Sequence, residues 1–259
     1  MGAAVDGRTH GFQLGLDLFQ FGGTRGRHDI GIYGGYADGK ARVSGFASGT
    51  RDLYVGELRP NTVYAGAYWT YSTDRFYVDT VVQRSWYRGH AESLDETRID
   101  IDGTGALASV EAGYALPLFS RWSLEPQAQL VAQGVSIDRV AIPAADVVQD
   151  SDGYLTGRVG LRLKGDYAVG RGSVQPYLRA NLWKGFASTD RTIFITSAAT
   201  TVVETRNSSF WGDAGGGVTW AATPRLALYG EATHRFALDS GRGVVGHSSG
   251  GSVGAKLSF

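Results

Sequence analysis

The sequence predicts an all-β chain, an antiparallel transmembrane β-barrel with a polar lumen. Three observations predict it. Alternation of apolar and polar residues with period two runs through nearly the whole chain, while helical periodicity is almost absent. The connections between alternating segments are short and long by turns. The polar face carries Asp, Glu, Arg, Gln and Gly together, which suits a watery interior crossed by salt bridges.

Eleven segments read as strands, at about 9–21, 28–38, 54–72, 76–89, 104–117, 123–137, 153–168, 173–187, 209–222, 225–237 and 248–259. The first sets Phe12, Leu14, Leu16 and Leu18 against Gln13, Gly15 and Asp17. The second precedes a long polar stretch at 39–56 that could hide a further strand. The third ends on Trp69 and Tyr71. The fourth and fifth carry Asp79, Gln83 and Glu111 on the polar face. The sixth opposes Leu124, Pro126, Ala128 and Leu130 to Glu125, Gln127 and Gln129. In the seventh, Leu155, Val159, Leu161 and Leu163 face away from Arg158 and Arg162. The eighth separates Leu178, Ala180 and Leu182 from Arg179 and Asn181. The ninth and tenth add Asp213, Glu231 and Arg235 to the polar face. The last alternates to the terminal Phe259. The fifteen polar residues Gln13, Asp17, Asp79, Gln83, Glu111, Glu125, Gln127, Gln129, Arg158, Arg162, Arg179, Asn181, Asp213, Glu231 and Arg235 are therefore expected to face the lumen.

Composition narrows the classes. Lys plus Arg and Asp plus Glu are 25 each, for zero net charge, so there is no basic excess for nucleic acid. The chain has no cysteine, which removes disulfides and thiolate-ligated metals. Mean hydropathy is −0.15, and no run approaches the ~18 apolar residues of a membrane helix. One domain is expected over 1–259, because no linker or composition shift divides the chain.

A soluble β-sandwich would also alternate. The strands are too long for it: several reach 12 or more residues, against a usual five or six or so. Aromatics near strand ends are expected to form membrane-interface girdles: Trp69, Trp86, Trp122, Trp220 and Phe259, with Tyr71, Tyr87 and Trp211 beside them. Gly15, Gly66, Gly113, Gly160, Gly215 and Gly217 interrupt the strands. They are expected to allow curvature and leave room for something threaded through the pore. Bacterial single-chain barrels have even strand numbers, so eleven visible strands point to a twelfth upstream of residue 1.

Little catalytic chemistry is visible, and no enzyme is expected. Gly246-His247-Ser248-Ser249-Gly250 matches G-x-S-x-G by letter, but opens a strand where a nucleophile elbow needs a helix. His10, His28, His90, His234 and His247 include no H-x-x-x-H pair, so neither metal nor cofactor is expected. The acids at 150–153 and Glu92, Asp95, Glu96, Asp100 and Asp102 read as solvated loop.

An ordered set of motifs carries a family resemblance. HGFQLGLD, VYAGAYWTY, FYVDTVVQ, SVEAGY, SLEPQAQL, TGRVGLRL, QPYLRANLW, LALYGEATHRF and GGSVGAKLSF follow one another along the chain. Together they resemble the C-terminal translocator domain of autotransporters, the type V secretion family. The resemblance implies a twelve-stranded barrel in the outer membrane of a Gram-negative bacterium. It implies a linker helix through the lumen that joins an exported N-terminal passenger. The implied partners are outer-membrane lipid, the barrel-assembly machinery acting through the C-terminal strand, and the chain's own passenger and linker, with a monomeric barrel. No signal peptide, passenger or linker is visible, so these are expected upstream. The competing readings are a free-standing porin, a barrel hydrolase with Ser and His converging on the lipid-facing wall, and a soluble sandwich.

Overall fold

The computed structural model describes residues 4–47, 50–94, 97–142, 145–223, 225–238 and 246–257. The described residues form fifteen strands in one sheet. These are β1 (Ala4–Gly23), β2 (Gly26–Ala47), β3 (Thr50–Ser72), β4 (Phe76–Ser93), β5 (Arg98–Tyr114), β6 (Leu116–Phe119), β7 (Trp122–Ile137) and β8 (Val140–Ile142). There follow β9 (Ala145–Ser151), β10 (Tyr154–Gly165), β11 (Tyr167–Val169), β12 (Gly172–Ile195), β13 (Thr200–Thr223), β14 (Leu226–Ala237) and β15 (Ser248–Leu257).

Eleven of these strands form the wall, in the order β1-β2-β3-β4-β5-β7-β10-β12-β13-β14-β15. Every neighbouring pair is antiparallel. They are the eleven strands that the alternation predicts. The stretch at 39–56 hides no additional wall strand among its described residues, because β2 and β3 themselves run on into it. The short strands are additions. β6 and β11 lengthen hairpins with β7 and β12, and the β8–β9 hairpin lies along the far half of β12.

Tight turns collect at one end, at residues 24–25, 73–75, 120–121 and 170–171. Gly170 adopts φ +59° there, a left-handed conformation that costs glycine nothing. The other end carries the long connections. Its strands project farthest in the β12–β13 hairpin, where the two strands pair out to Ile195 and Thr200.

Burial is inside-out. Glu125, Arg158 and Asn181 are 5%, 7% and 4% exposed, whereas Leu178 and Val253 are 62% and 88% exposed. A water-soluble core would bury the second set and expose the first. The sheet curls with its polar face inward: Lys256 Nζ on β15 lies 2.7 Å from Asp17 Oδ2 on β1. Those strands stand at opposite ends of the eleven-strand order, so only curvature brings their side chains together. The apolar face is thereby left on the outside.

Candidate lumenal site

The inner wall is built by parity. Successive residues of a strand point to opposite faces, and the register carries one parity from strand to strand. Asp79 on β4 stands opposite Glu111 on β5, Glu111 opposite Gln129 on β7, and Gln129 opposite Arg158 on β10. Arg158 stands opposite Trp183 on β12, while Asn181, Asp213 and Arg235 form one row across β12, β13 and β14. By this register all fifteen polar residues singled out in the sequence lie on the inner face.

Their side chains join into a network. Tyr77 Oη donates to Glu111 Oε1 at 2.5 Å and accepts from Gln127 Nε2 at 2.9 Å. Gln127 also donates to Glu125 Oε1 at 2.7 Å, and Arg162 Nη2 lies 2.6 Å from the same oxygen. Arg158 Nη2 pairs with Glu111 Oε2 at 2.6 Å, reaching across β7, and its Nη1 donates to Asn181 Oδ1 at 3.3 Å. Asn181 Nδ2 donates to Asp213 Oδ1 at 2.8 Å, and Trp183 Nε1 donates to the other oxygen of Asp213. One continuous chain of hydrogen bonds and ion pairs thus ties β4, β5, β7, β10, β12 and β13. Burying such charges is tolerated only with partners, and here each carboxylate has at least one.

Smaller groups complete the wall. Glu231 accepts from Tyr177 Oη at 2.5 Å and pairs with Arg179 at 2.7 Å. Asp79 accepts from Thr70 Oγ1 at 2.5 Å, Gln83 from Tyr33 Oη at 3.0 Å, and Gln13 from Tyr64 Oη at 3.3 Å. Gln129 Nε2 donates to Ser109 Oγ at 2.8 Å. Asp17 accepts from Tyr68 Oη besides pairing with Lys256.

Two features of this wall escape the sequence reading. The first is an arginine–tryptophan ladder. Trp183 and Trp211 stack at 5.7 Å and 4°. The Arg158 guanidinium lies 5.4 Å from the Trp183 ring, and that of Arg235 lies 5.6 Å from Trp211. Trp211, expected at the interface, is instead buried on the inner face. Because β13 begins at Thr200, Trp211 is a mid-strand residue and shares the parity of Asp213. Tyr87 is displaced inward by the same parity, for its ring contacts the Cβ direction of Gly105.

The second feature corrects the expectation for the glycines. The space beside several of them is filled by tyrosine rings rather than left open. A Cβ on Gly66 would meet Tyr33 Cζ at 2.5 Å, and one on Gly217 would meet Tyr177 Oη at 2.6 Å. A Cβ on Gly113 would clash with the Tyr77 ring. Each ring reaches over the glycine directly opposite it on the neighbouring strand.

Three of the aromatics expected at the interface lie on the outer face. Trp69, Trp86 and Trp220 are 40%, 47% and 47% exposed. Trp69 Nε1 donates to His28 Nδ1 at 3.1 Å, and His28 stacks on Phe21. Trp122 is half-buried against Tyr167. Phe259 lies outside the described residues, as do Asp95 and Glu96 of the acidic set. Asp150 and Asp152 are not merely solvated, for Arg191 lies 3.8 and 3.7 Å from them.

A serine and a histidine do meet on the outer wall. His234 Nδ1 lies 2.9 Å from Ser249 Oγ, and His247 stacks on His234 at 6.2 Å. His234 and Ser249 are directly opposed residues of β14 and β15, the ordinary setting of a cross-strand hydrogen bond. Among the described residues no carboxylate pairs with His234, so this couple lacks the group that orients a catalytic base. No three potential metal ligands gather among the described residues.

Comparison with known proteins decides what this wall belongs to. Residues 2–233 match the family described as the autotransporter beta-domain. The chain belongs to the autotransporter β-domain family. It is 29% identical over 270 residues to the adhesin BmaC autotransporter of Brucella suis, covering 98% of this chain and 7% of that protein. It is 30% identical over 201 residues to the pertactin autotransporter of Bordetella bronchiseptica, covering 74% of this chain and 21% of that one. The chain thus spans a small part of these curated relatives. The transport unit of the Escherichia coli autotransporter AIDA-I superposes with a TM-score of 0.77 at 20% identity, over 99% of this chain and 84% of that one. The β domain of the Bordetella autotransporter BrkA does so at 0.73 and 23% identity, over 99% and 93%. This family membership favours a translocator domain over a free-standing porin.

Proposed function

We propose that this autotransporter β-domain inserts in the outer membrane, takes a passenger-bearing segment through its lumen and holds it at the cell surface. The observation that carries the reading is the inside-out wall. A curled sheet with ion-paired side chains within and bare Leu, Val and Phe without is stable where hydrocarbon surrounds it. The lumen offers a threaded polypeptide both charge signs and many hydrogen-bonding groups, in place of the water it leaves.

Closure requires one more element. Eleven antiparallel strands leave β1 and β15 parallel to each other. An upstream strand antiparallel to both would complete a twelve-stranded barrel and satisfy both open edges. The linker helix and passenger would precede it. The Asp17–Lys256 pair would then span that strand on the lumenal side. Further partners of this reading are the surrounding lipid and the assembly machinery that receives the C-terminal strand. The barrel works as a monomer.

Charge reversal inside the lumen tests the reading. Glu125→Arg or Arg158→Glu, in the chain carrying its passenger, should reduce surface display and alter pore conductance while the barrel still reaches the membrane. Unchanged display and conductance in both variants would contradict it.

A further inference from the structure

The outer face of β4 presents Phe76, Val78, Thr80, Val82, Arg84 and Trp86 in succession. Arg84 is the one cation in that run. It is exposed on a surface otherwise suited to acyl chains, where an unpaired guanidinium is unfavourable in proportion to its depth. The ion pairs of the described residues do not include it. Arg88, the next outward cation, stands opposite Asp102, whereas Arg84 stands opposite Ala106.

The direction of the side chain matters. Arg84 Nη2 donates to Thr104 Oγ1 at 3.0 Å. Thr104 stands opposite Trp86, two residues nearer the long-loop end than Ala106. The guanidinium therefore leans out of the apolar run toward the aromatic rim, as a snorkelling cation does. Lys184 is likewise an outward cation, between Leu182 and Phe186 on β12.

We propose that Arg84, with the Thr104 hydroxyl and the Trp86 indole beside it, binds the phosphate of a phosphorylated lipid headgroup in the leaflet at the long-loop end. The guanidinium fork matches a tetrahedral oxyanion with two parallel donors. The threonine adds a hydroxyl, and an indole is at home at headgroup level. The site rests on the membrane placement of the outer face but needs no passenger and no export.

Native mass spectrometry of the full chain in a neutral maltoside detergent tests it. The probes are a diphosphorylated lipid A, the same lipid dephosphorylated, and inorganic phosphate as competitor. The wild-type chain should retain the phosphorylated lipid in preference, and Arg84→Gln should lower that preference about tenfold, the scale of one charge-assisted pair. Thr104→Val, which keeps the charge, should lower it by a smaller factor. Inorganic phosphate at the lipid's concentration should not displace it. Equal retention of both lipids, or retention unchanged by Arg84→Gln, overturns the site. Displacement by inorganic phosphate overturns the lipid as its source. A chain that is soluble without detergent and takes up no lipid overturns the membrane reading and the site together. Loss of passenger export with lipid preference intact would overturn the translocation reading alone.

Discussion

Arg158 is where the lumenal wall concentrates its interactions: Glu111 at 2.6 Å, Asn181 at 3.3 Å and the Trp183 ring 5.4 Å away. Removing it leaves Glu111 facing the Tyr77 hydroxyl alone and frees the ring of Trp183. Arg158→Leu should cost about 3–5 kcal/mol, the usual consequence of stranding a buried charge. The midpoint of denaturant unfolding in detergent measures this. The paired change Arg158→Leu with Glu111→Leu should recover most of it, because neither charge is then stranded. Outside the membrane band, Glu57 gives a pH prediction. Lys40 at 2.8 Å, and next Arg59, hold its carboxyl below the ordinary carboxylate value. A depressed folded pKa contributes stability that is fully present above the unfolded value of about 4.3 and is lost as pH falls through the folded value. Titration followed by carboxyl NMR should find Glu57 below the normal range, and Lys40→Met should move it back up. The facing of residues was legible at this scale wherever alternation was regular, as in Glu125-Pro126-Gln127-Ala128-Gln129. The tyrosines were not, since one amphipathic ring serves equally at an interface or on a polar wall. Trp211 departs from its expected place because it shares the parity of Asp213 and the strand end lies well beyond it.

Strands were legible only as far as lipid imposes an apolar face. The alternation ends β2 near residue 38 and β12 near 187, whereas the strands run to Ala47 and Ile195. Beyond the band both faces meet water, so the residues need not alternate. A bulge between Gly185 and Ser188 also breaks the period at that point. The β8–β9 hairpin is missed for the same reason: it docks on the projecting half of β12 through Asp146–Ser151 opposite Asp190–Ile195. Replacing residues 190–205 by a two-residue turn should therefore leave the barrel heat-resistant on electrophoresis. Collapse of that folded band would mean the projection stabilises the wall itself. The Gly–Tyr couples predict the opposite sensitivity. Gly217→Val would drive a side chain into the Tyr177 ring and should destabilise the barrel by about 1–3 kcal/mol, the cost of overpacking. Tyr177→Ala in the same background should restore part of that, read from the same unfolding midpoint.

At the scale of the whole molecule, alternating loop lengths and an odd strand count foreshadow a curled sheet with two edges to be joined. The joining itself was not legible, because no pattern within β1 or β15 names the partner. What the fold adds is proximity: Lys256 and Asp17 meet although their strands share no ladder. The central claim is that this barrel carries a polypeptide outward through a polar lumen closed by an upstream strand. The most direct measurement is surface display. The chain is expressed behind a signal peptide with its own upstream coding region, and an epitope is placed N-terminal to that region. The account predicts antibody binding on intact cells, lost on external protease treatment, with the barrel in the outer-membrane fraction. An epitope reached only after the outer membrane is permeabilised, beside a correctly inserted barrel, would contradict it.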